Sequence, residues 1–187
     1  MAKFTTRNQL RIIGGKWRGR KIHFPDAADL RPTADRIRET VFNWLAGYIE
    51  GSTCVDLFAG SGALGFEAGS RGAARVLLVE QDPNIATYLQ QTTVAFNATA
   101  VDIVTANTLN VISDLPATNI LFLDPPFKFT HLDELLQRID AGNFLQPKAW
   151  IYLETAADRA IVTPAGWRLH RHKQAGQVAY RLFQRQA

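Results

Sequence analysis

The stretch Val55-Asp-Leu-Phe-Ala-Gly60-Ser-Gly-Ala-Leu-Gly65 sets three glycines in the spacing G-x-G-x-x-G between an apolar run and a helical pattern. The apolar run covers residues 54–58 and the helical spacing covers 63–70. Glycines in a strand-to-helix turn let the backbone pass close to a ligand. Outward from this turn the chain alternates. Further apolar runs lie at 76–79, 101–104, 120–123 and 150–153, with helical stretches at 84–97, 109–114 and 132–141 between them. Strands spaced by helices predict an α/β fold with a parallel sheet wound on both faces. The tail differs: 167–172 and 178–184 are joined by Lys173-Gln-Ala-Gly-Gln177, the pattern of an antiparallel hairpin. The expectation is a Rossmann-like, mostly parallel seven-stranded sheet closed by a C-terminal antiparallel hairpin.

Upstream of the glycine turn, Thr33 is placed to cap a helix carrying Ile37, Val41, Trp44, Leu45 and Tyr48 at helical spacing, with Gly51 as its stop. Residues 11–25 read as a short β ribbon turning at Gly14-Gly15. The expected organisation is a basic β-ribbon extension over 1–32 and a main domain over 33–187.

Composition sets the bounds. A chain of 187 residues with 47% hydrophobic content forms one domain with a real core. No stretch approaches the ~20 apolar residues of a membrane span, and no apolar signal region follows the first charge. Cys54 is the single cysteine, which fits a reducing cytoplasm. Four scattered histidines and one cysteine argue against zinc, so no metal is expected. His170 and His172, two apart on a strand, read as surface histidines, and Trp44, Trp150 and Trp167 read as core. The net charge of +4 hides an asymmetry. Residues 1–38 hold ten Lys and Arg against three Asp, whereas 39–187 hold eleven against fourteen acids. A basic arm on a mildly acidic body points to a polyanion gripped by the arm, although a charge run is as often a solvated face.

The chemistry of the glycine turn depends on its acids. Glu80, fifteen residues past Gly65, ends the second strand, where a carboxylate can accept hydrogen bonds from both ribose hydroxyls of a nucleoside cofactor. A dinucleotide dehydrogenase would share that much. Asp56, four residues before Gly60, separates the two readings. Its charge would repel a pyrophosphate but suits the ammonium of a methionine moiety. The segment Ile120-Leu-Phe-Leu-Asp-Pro-Pro-Phe-Lys-Phe129 carries the second clue. A strand that ends in acid, two prolines and an aromatic serves a nicotinamide enzyme in no obvious way. It serves a methyl donor well. An exocyclic amino group on a nucleobase is a poor nucleophile and needs acceptors for its N–H groups. Asp124 supplies a carboxylate and Pro125 a carbonyl, the pair Pro125-Pro126 stiffens the loop, and Phe127 offers a stacking face.

Asp124-Pro-Pro-Phe127 is similar to the D/N-P-P-Y/F/W motif of amino-group methyltransferases, whose class I fold has the sheet expected here. Four segments go further: 11–20, 30–43, 56–65 and 175–181 together resemble the RsmD family of bacterial 16S rRNA guanine-N2 methyltransferases. The resemblance runs from about residue 11 to residue 185. It implies one methyl transfer from S-adenosylmethionine to the N2 amino group of a guanine in the small ribosomal subunit. With a single cysteine and no long exposed apolar helix or heptad seam in the sequence, a cytoplasmic monomer is expected. It implies that Asp56, Phe58, Gly60, Gly62, Glu80, Asn107 and Asp124 hold the cofactor and that Asp124, Pro125, Pro126 and Phe127 hold the target base. Asn107 stands where many relatives place an acid against the adenine amine. Phe127 replaces the commoner Tyr and keeps the stacking face. Lys16, Arg18, Arg20, Lys21, Arg31 and Arg36 are then expected to contact RNA phosphates, while Trp17 packs the ribbon onto the body. For Arg31, Arg36 and Arg38 the cofactor carboxylate and ordinary ion pairs with acids of the first helix stay open. Three other functions are weighed against this one. They are an adenine-N6 methyltransferase on DNA or RNA, a protein glutamine methyltransferase, which typically has Asn at position 124, and a non-catalytic RNA-binding assembly factor.

Overall fold

The computed structural model describes residues 9–24 and 35–186. Thr33, Arg31 and the connection over 25–34 lie outside the described residues. In chain order the elements are β1 (Gln9–Arg11), β2 (Lys21–His23), α1 (Asp35–Trp44), β3 (Thr53–Asp56), α2 (Ala63–Ser70), β4 (Arg75–Glu80), α3 (Pro83–Phe96), β5 (Val101–Thr105) and α4 (Thr108–Val111). A short 3-10 turn (Ile112–Asp114) leads to β6 (Thr118–Leu123), α5 (Leu132–Ala141), β7 (Leu145–Ala156), β8 (Trp167–Ala175) and β9 (Val178–Arg185). β1 and β2 form a separate antiparallel ribbon. The other seven strands make one sheet in the order β5-β4-β3-β6-β7-β9-β8. Its first four pairings are parallel, and β9 is antiparallel to both β7 and β8. The order reverses between β3 and β6, and open α/β sheets bind ligands beyond the C-terminal strand ends at such a point.

Alternation along the strands splits the core. One sheet face presents Cys54, Val76, Leu78, Ile120, Phe122, Trp150 and Tyr152 to α1, α2 and α3. The other presents Val55, Leu77, Val79, Leu121, Leu123, Ile151 and Leu153 to α5, whose Leu132, Leu135, Leu136 and Ile139 are buried there. α5 is amphipathic, as a helix with one wet side should be. α2 is not: all eight of its residues are buried. Its inner side packs on the sheet so closely that a Cβ on Gly65 would lie 2.1 Å from Leu78. Its outer side is covered by the ribbon, whose Leu10, Ile12, Trp17 and Ile22 are buried. Trp17 meets Phe66 edge-on at 6.4 Å and Phe96 at 5.4 Å.

Polar groups fix the ribbon in place. Both oxygens of the fully buried Glu67 accept from backbone, the Ile13 and Gly14 N–H groups donating at 2.8 Å each. Arg71 Nε donates to the same carboxylate at 2.7 Å, and Arg38 Nη1 stands 3.9 Å away. Arg38, also fully buried, donates from Nη2 to the Arg11 carbonyl at 3.0 Å and to Asp35 at 2.5 Å. Ser70 completes the seam, accepting from the Trp17 N–H and donating to the Gly14 carbonyl.

The ribbon reverses later than the sequence pattern predicts. Pairing continues past β1 through the Ile12 N–H to Arg20 carbonyl bond, and the reversal lies at Lys16–Gly19. Gly14-Gly15 instead abuts the end of α2: Gly15 has φ +76°, and a Cβ there would lie 1.9 Å from the Ser70 carbonyl. Two further boundaries differ. α1 stops at Trp44, so Tyr48 is 52% exposed and lies against Trp150. β7 starts five residues before Trp150 because Leu145 already pairs with Thr118, and the extra residues are taken up in a bulge where Lys148 has φ +62°.

Removing one member of a buried ionic network leaves the others uncompensated. Glu67→Ala is therefore expected to lower unfolding free energy by about 3–5 kcal/mol, measured by urea denaturation.

Candidate functional site

Four neighbouring strands of the sheet end their apolar runs in an acid on the same face. Asp56 closes β3 and Glu80 closes β4. Asp124 follows the last residue of β6, and Glu154 lies near the end of β7. The ladders set them side by side. Asp56 pairs with Leu78 and Phe122, each two residues short of the next acid. Leu123 pairs with Leu153, one residue before Asp124 and Glu154. Across the sheet the row runs Glu80, Asp56, Asp124, Glu154.

Crowding and burial change these carboxyls. Burial pushes Asp56 up to about 7, the nearby Asp124 adds to the effect, and the Phe58 and Gly65 N–H groups oppose it. Burial likewise pushes Glu154 up to about 8, with Asp124 again adding and the Tyr152 hydroxyl opposing. Tyr152 donates to Glu154 at 2.7 Å and is itself raised, chiefly by burial. Such a row favours either a retained proton or a bound cation.

The glycine turn folds over this row. Gly62 begins α2 at φ +77°, and a Cβ there would lie 2.6 Å from Phe66. Gly60 has φ +50°, and its N–H donates to Glu80 at 2.9 Å. The Asp82 N–H takes the other Glu80 oxygen at 2.8 Å. The carboxylate at the strand end thus holds the loop to which it is adjacent, and its remaining lone pairs stay available to other donors. Phe58 is half-buried and meets Phe129 edge-on at 5.2 Å. Asn107 is exposed and caps α4, its side chain accepting from the Leu109 N–H and its amide donating to Gln81 at 3.5 Å.

After Asp124, Pro125 is buried, Pro126 is exposed, and the Phe129 N–H closes a turn on the Pro126 carbonyl at 2.8 Å. Arg159 braces the same turn through the Phe129 carbonyl at 2.6 Å. Phe127 at its apex is 44% exposed, an unusual position for a large aromatic. Asp56, Phe58, Gly60, Gly62, Glu80, Asn107 and Asp124 to Phe127 thus gather at one end of the sheet.

The ribbon cations do not join them. Lys16, Arg18, Arg20 and Lys21 are all exposed but stand by the C-terminal end of α2 and by α3, a helix length of roughly 12 Å from the glycine turn. Lys16 lies over the Trp17 ring, and Arg20 donates to the Ala95 carbonyl at 2.5 Å while stacking on Phe96. Arg36 is exposed on α1, whereas Arg38 is the structural brace described above. Arg31 lies outside the described residues. Among the described residues no group of three or more His, Cys, Asp or Glu is placed to hold a metal ion. No helix among them is long and apolar enough to cross a membrane.

Sequence reasoning missed Glu154. The signal was present, since Ile151-Tyr-Leu-Glu154 repeats the pattern of an apolar run ending in acid seen at Asp56, Glu80 and Asp124.

This sheet order, with a glycine turn at the switch point and Asp-Pro-Pro-Phe at the neighbouring strand exit, defines a class I methyltransferase. The comparisons agree. The family model described as Conserved hypothetical protein 95 matches residues 10–184. Ribosomal RNA small subunit methyltransferase D of Escherichia coli K12 is 46% identical over 181 residues, covering 96% of this chain and 91% of that protein. The protein of the same name from Haemophilus influenzae is 41% identical, covering 98% and 100%. The solved structure of yhhF from Escherichia coli superposes with TM-score 0.88 at 43% identity, covering 96% of this chain and 99% of that one. The chain belongs to this family, the RsmD family of methyltransferases.

The raised carboxyls make stability depend on pH. Their folded values of about 7 and 8 exceed the roughly 4 of free carboxyls, so the folded state binds more protons between those limits. Their contribution is full below pH ~4 and is lost as pH rises through about 7 and 8. The melting temperature of the protein without ligand is expected to fall between pH 5 and 8, and Asp56→Asn to flatten part of that fall in a thermal scan.

Proposed function

We propose that the protein transfers a methyl group from S-adenosylmethionine to the exocyclic N2 amino group of a guanine in 16S rRNA of the small ribosomal subunit. The observation that carries this reading is the exposed Phe127 held on a stiff diproline turn directly beside Asp124, at the end of the carboxylate row. The names of the relatives supply the ribosomal RNA, and the residues supply the amine chemistry.

The donor fits the residues present. It carries two positive centres and a ribose, and the pocket end of the sheet is lined by carboxyls, one of them pushed up to about 7 by burial and by the neighbouring Asp124. Asp56 takes the ammonium, and Glu80 takes the ribose hydroxyls while keeping the Gly60 loop in place. Gly60 and Gly62 allow close backbone approach, Phe58 lines the pocket, and Asn107 faces the adenine. When bound, the donor supplies an electrophilic methyl on a sulfonium sulfur.

The chain's own residues then act on the acceptor. Asp124 and the Pro125 carbonyl accept the two N–H bonds of the amine, which turns the nitrogen lone pair toward the methyl. Pro125 and Pro126 fix both acceptors in advance. Phe127 stacks on the extruded base. The amine becomes far more acidic once alkylated, so its proton leaves to water without a dedicated base.

The extension over 1–32 grips RNA, with Lys16, Arg18, Lys21 and Arg31 as phosphate contacts and Arg20 sharing that task with its brace on α3, and Arg36 of α1 adds one more. The domain over 33–187 performs the chemistry. The enzyme acts as a cytoplasmic monomer.

Asp124→Ala is expected to lower kcat by about a hundredfold or more, the scale of losing one preorganised polar group, a far larger loss than any change in cofactor affinity read by calorimetry. Methyl transfer from labelled S-adenosylmethionine is to be compared on unmodified small subunits, naked 16S rRNA and duplex DNA, with the product nucleoside identified by mass spectrometry. N2-methylguanosine on subunits is the expected product. N6-methyladenine in DNA would replace this reading with the adenine enzyme.

A further inference from the structure

The acidic body of the chain has a second basic end. Residues 39–158 hold five Lys and Arg against fourteen acids, but residues 159–187 hold six Lys and Arg and no acid. Half of those six fall on β8, the edge strand, in Trp167-Arg-Leu-His-Arg-His-Lys-Gln-Ala175. Every residue of β8 after Trp167 is exposed, including Leu169 at 50%.

The ladder shows which way the cations point, because residues directly opposite each other share a face. Arg168 faces Gln184, Arg171 faces Leu182 and Lys173 faces Tyr180. Those three β9 residues in turn face Trp150, Tyr152 and Glu154 of β7. Arg168, Arg171 and Lys173 therefore lie on the face that carries the carboxylate row. A register shift between Leu169 and Arg171 makes this possible, since without it Arg168 and Arg171 would lie on opposite faces. His170, the extra residue, packs edge-on against Trp150 at 4.9 Å.

Direction matters as well. β8 and β7 are both antiparallel to β9, so they run the same way, and the three cations climb toward the site. Lys173 ends on the row of Glu154 and Asp124, three strand spacings or roughly 14 Å from Asp124. Among the described residues, no acid forms an ion pair with Arg168, Arg171 or Lys173.

We propose that Arg168, Arg171 and Lys173 form a second phosphate-binding track, which holds the RNA backbone a few nucleotides from the base placed at Asp124. Charged side chains also protect an edge strand from pairing with other chains, but either sign, or both, would serve that end. Here the sign is single, the face is the catalytic one, and the spacing leads to the site. A second copy of this chain is a poor occupant, because two such strips repel. With the ribbon cations across the same face, the track would let RNA span the acidic centre from two basic sides.

The inference rests on the proposed rRNA substrate, and one experiment separates the two. Binding to small ribosomal subunits and methyl transfer to them are measured against salt for the wild type and for Arg168→Gln/Arg171→Gln/Lys173→Gln. Cofactor affinity by calorimetry serves as the check on folding. The expected result is a slope of log K against log salt reduced by about 2–3, near 0.7–0.9 for each lost phosphate contact. A raised KM for subunits, with kcat and cofactor affinity unchanged, should accompany it. Lys173→Gln alone gives a reduction of about 0.7–0.9 and serves if the triple variant fails to bind cofactor. Arg168→Lys/Arg171→Lys should keep the wild-type slope. Unchanged slope and KM in the neutralised variants would overturn the track while leaving the rRNA reading intact. Wild-type protein inert toward subunits would overturn both.

Discussion

Helix α2 is the part on which the rest of the structure depends, and the buried carboxylate of Glu67 is what fixes it. One end of the helix begins at Gly62 in the glycine turn. The other end meets the ribbon through Ser70, by side chain and carbonyl. Glu67 lies between, accepting two ribbon N–H groups and the Arg71 side chain, with Arg38 of α1 beside it. A carboxylate removed from water is tolerable only when so fully partnered. The sheet, the ribbon and α1 are held in one arrangement around a helix that has no wet face.

At the opposite end four acidic groups are crowded together. Glu80, Asp56, Asp124 and Glu154 line four adjacent strand ends, and two of them are raised toward or past neutrality. Under the proposed function a cationic donor would relieve this crowding, which would give affinity without any contact to the reacting methyl. The acceptor side is built differently. There the backbone is stiffened by Pro125 and Pro126, and an aromatic is left in solvent. Under the proposed function preorganisation there would act on an uncharged amine, for which charge attraction would do little. The exposed cations of the ribbon and of β8 stand apart from both.

Much of this was legible in the chain. Period-two and helical spacing separated seven strands from the helices, and the hairpin at the end was marked by its turn residues. The glycine turn, Glu80 and Asp124-Pro-Pro-Phe127 stood out because each breaks an apolar run with residues that core packing does not require. Glu154 was passed over because a single acid after Leu153, with no motif around it, looks like the ordinary end of a strand. The ribbon turn was misplaced because Gly14-Gly15 is a good turn signal locally, whereas its use is tertiary: only glycine fits against the Ser70 carbonyl.

The sequence by itself determined the class of fold, the glycine turn, the Asp-Pro-Pro-Phe strand exit and the basic character of the N-terminal arm. These are local, set by periodicity and by residue types within a few positions of one another. Tertiary structure alone decided that the ribbon covers α2 and that Arg38 and Glu67 are buried partners. It also decided that Glu154 joins the carboxylate row and that Arg168, Arg171 and Lys173 share its face. Each of these follows from strand register or helix docking between segments far apart in the chain. A shift of one residue in register would have turned every one of those strand side chains to the other face.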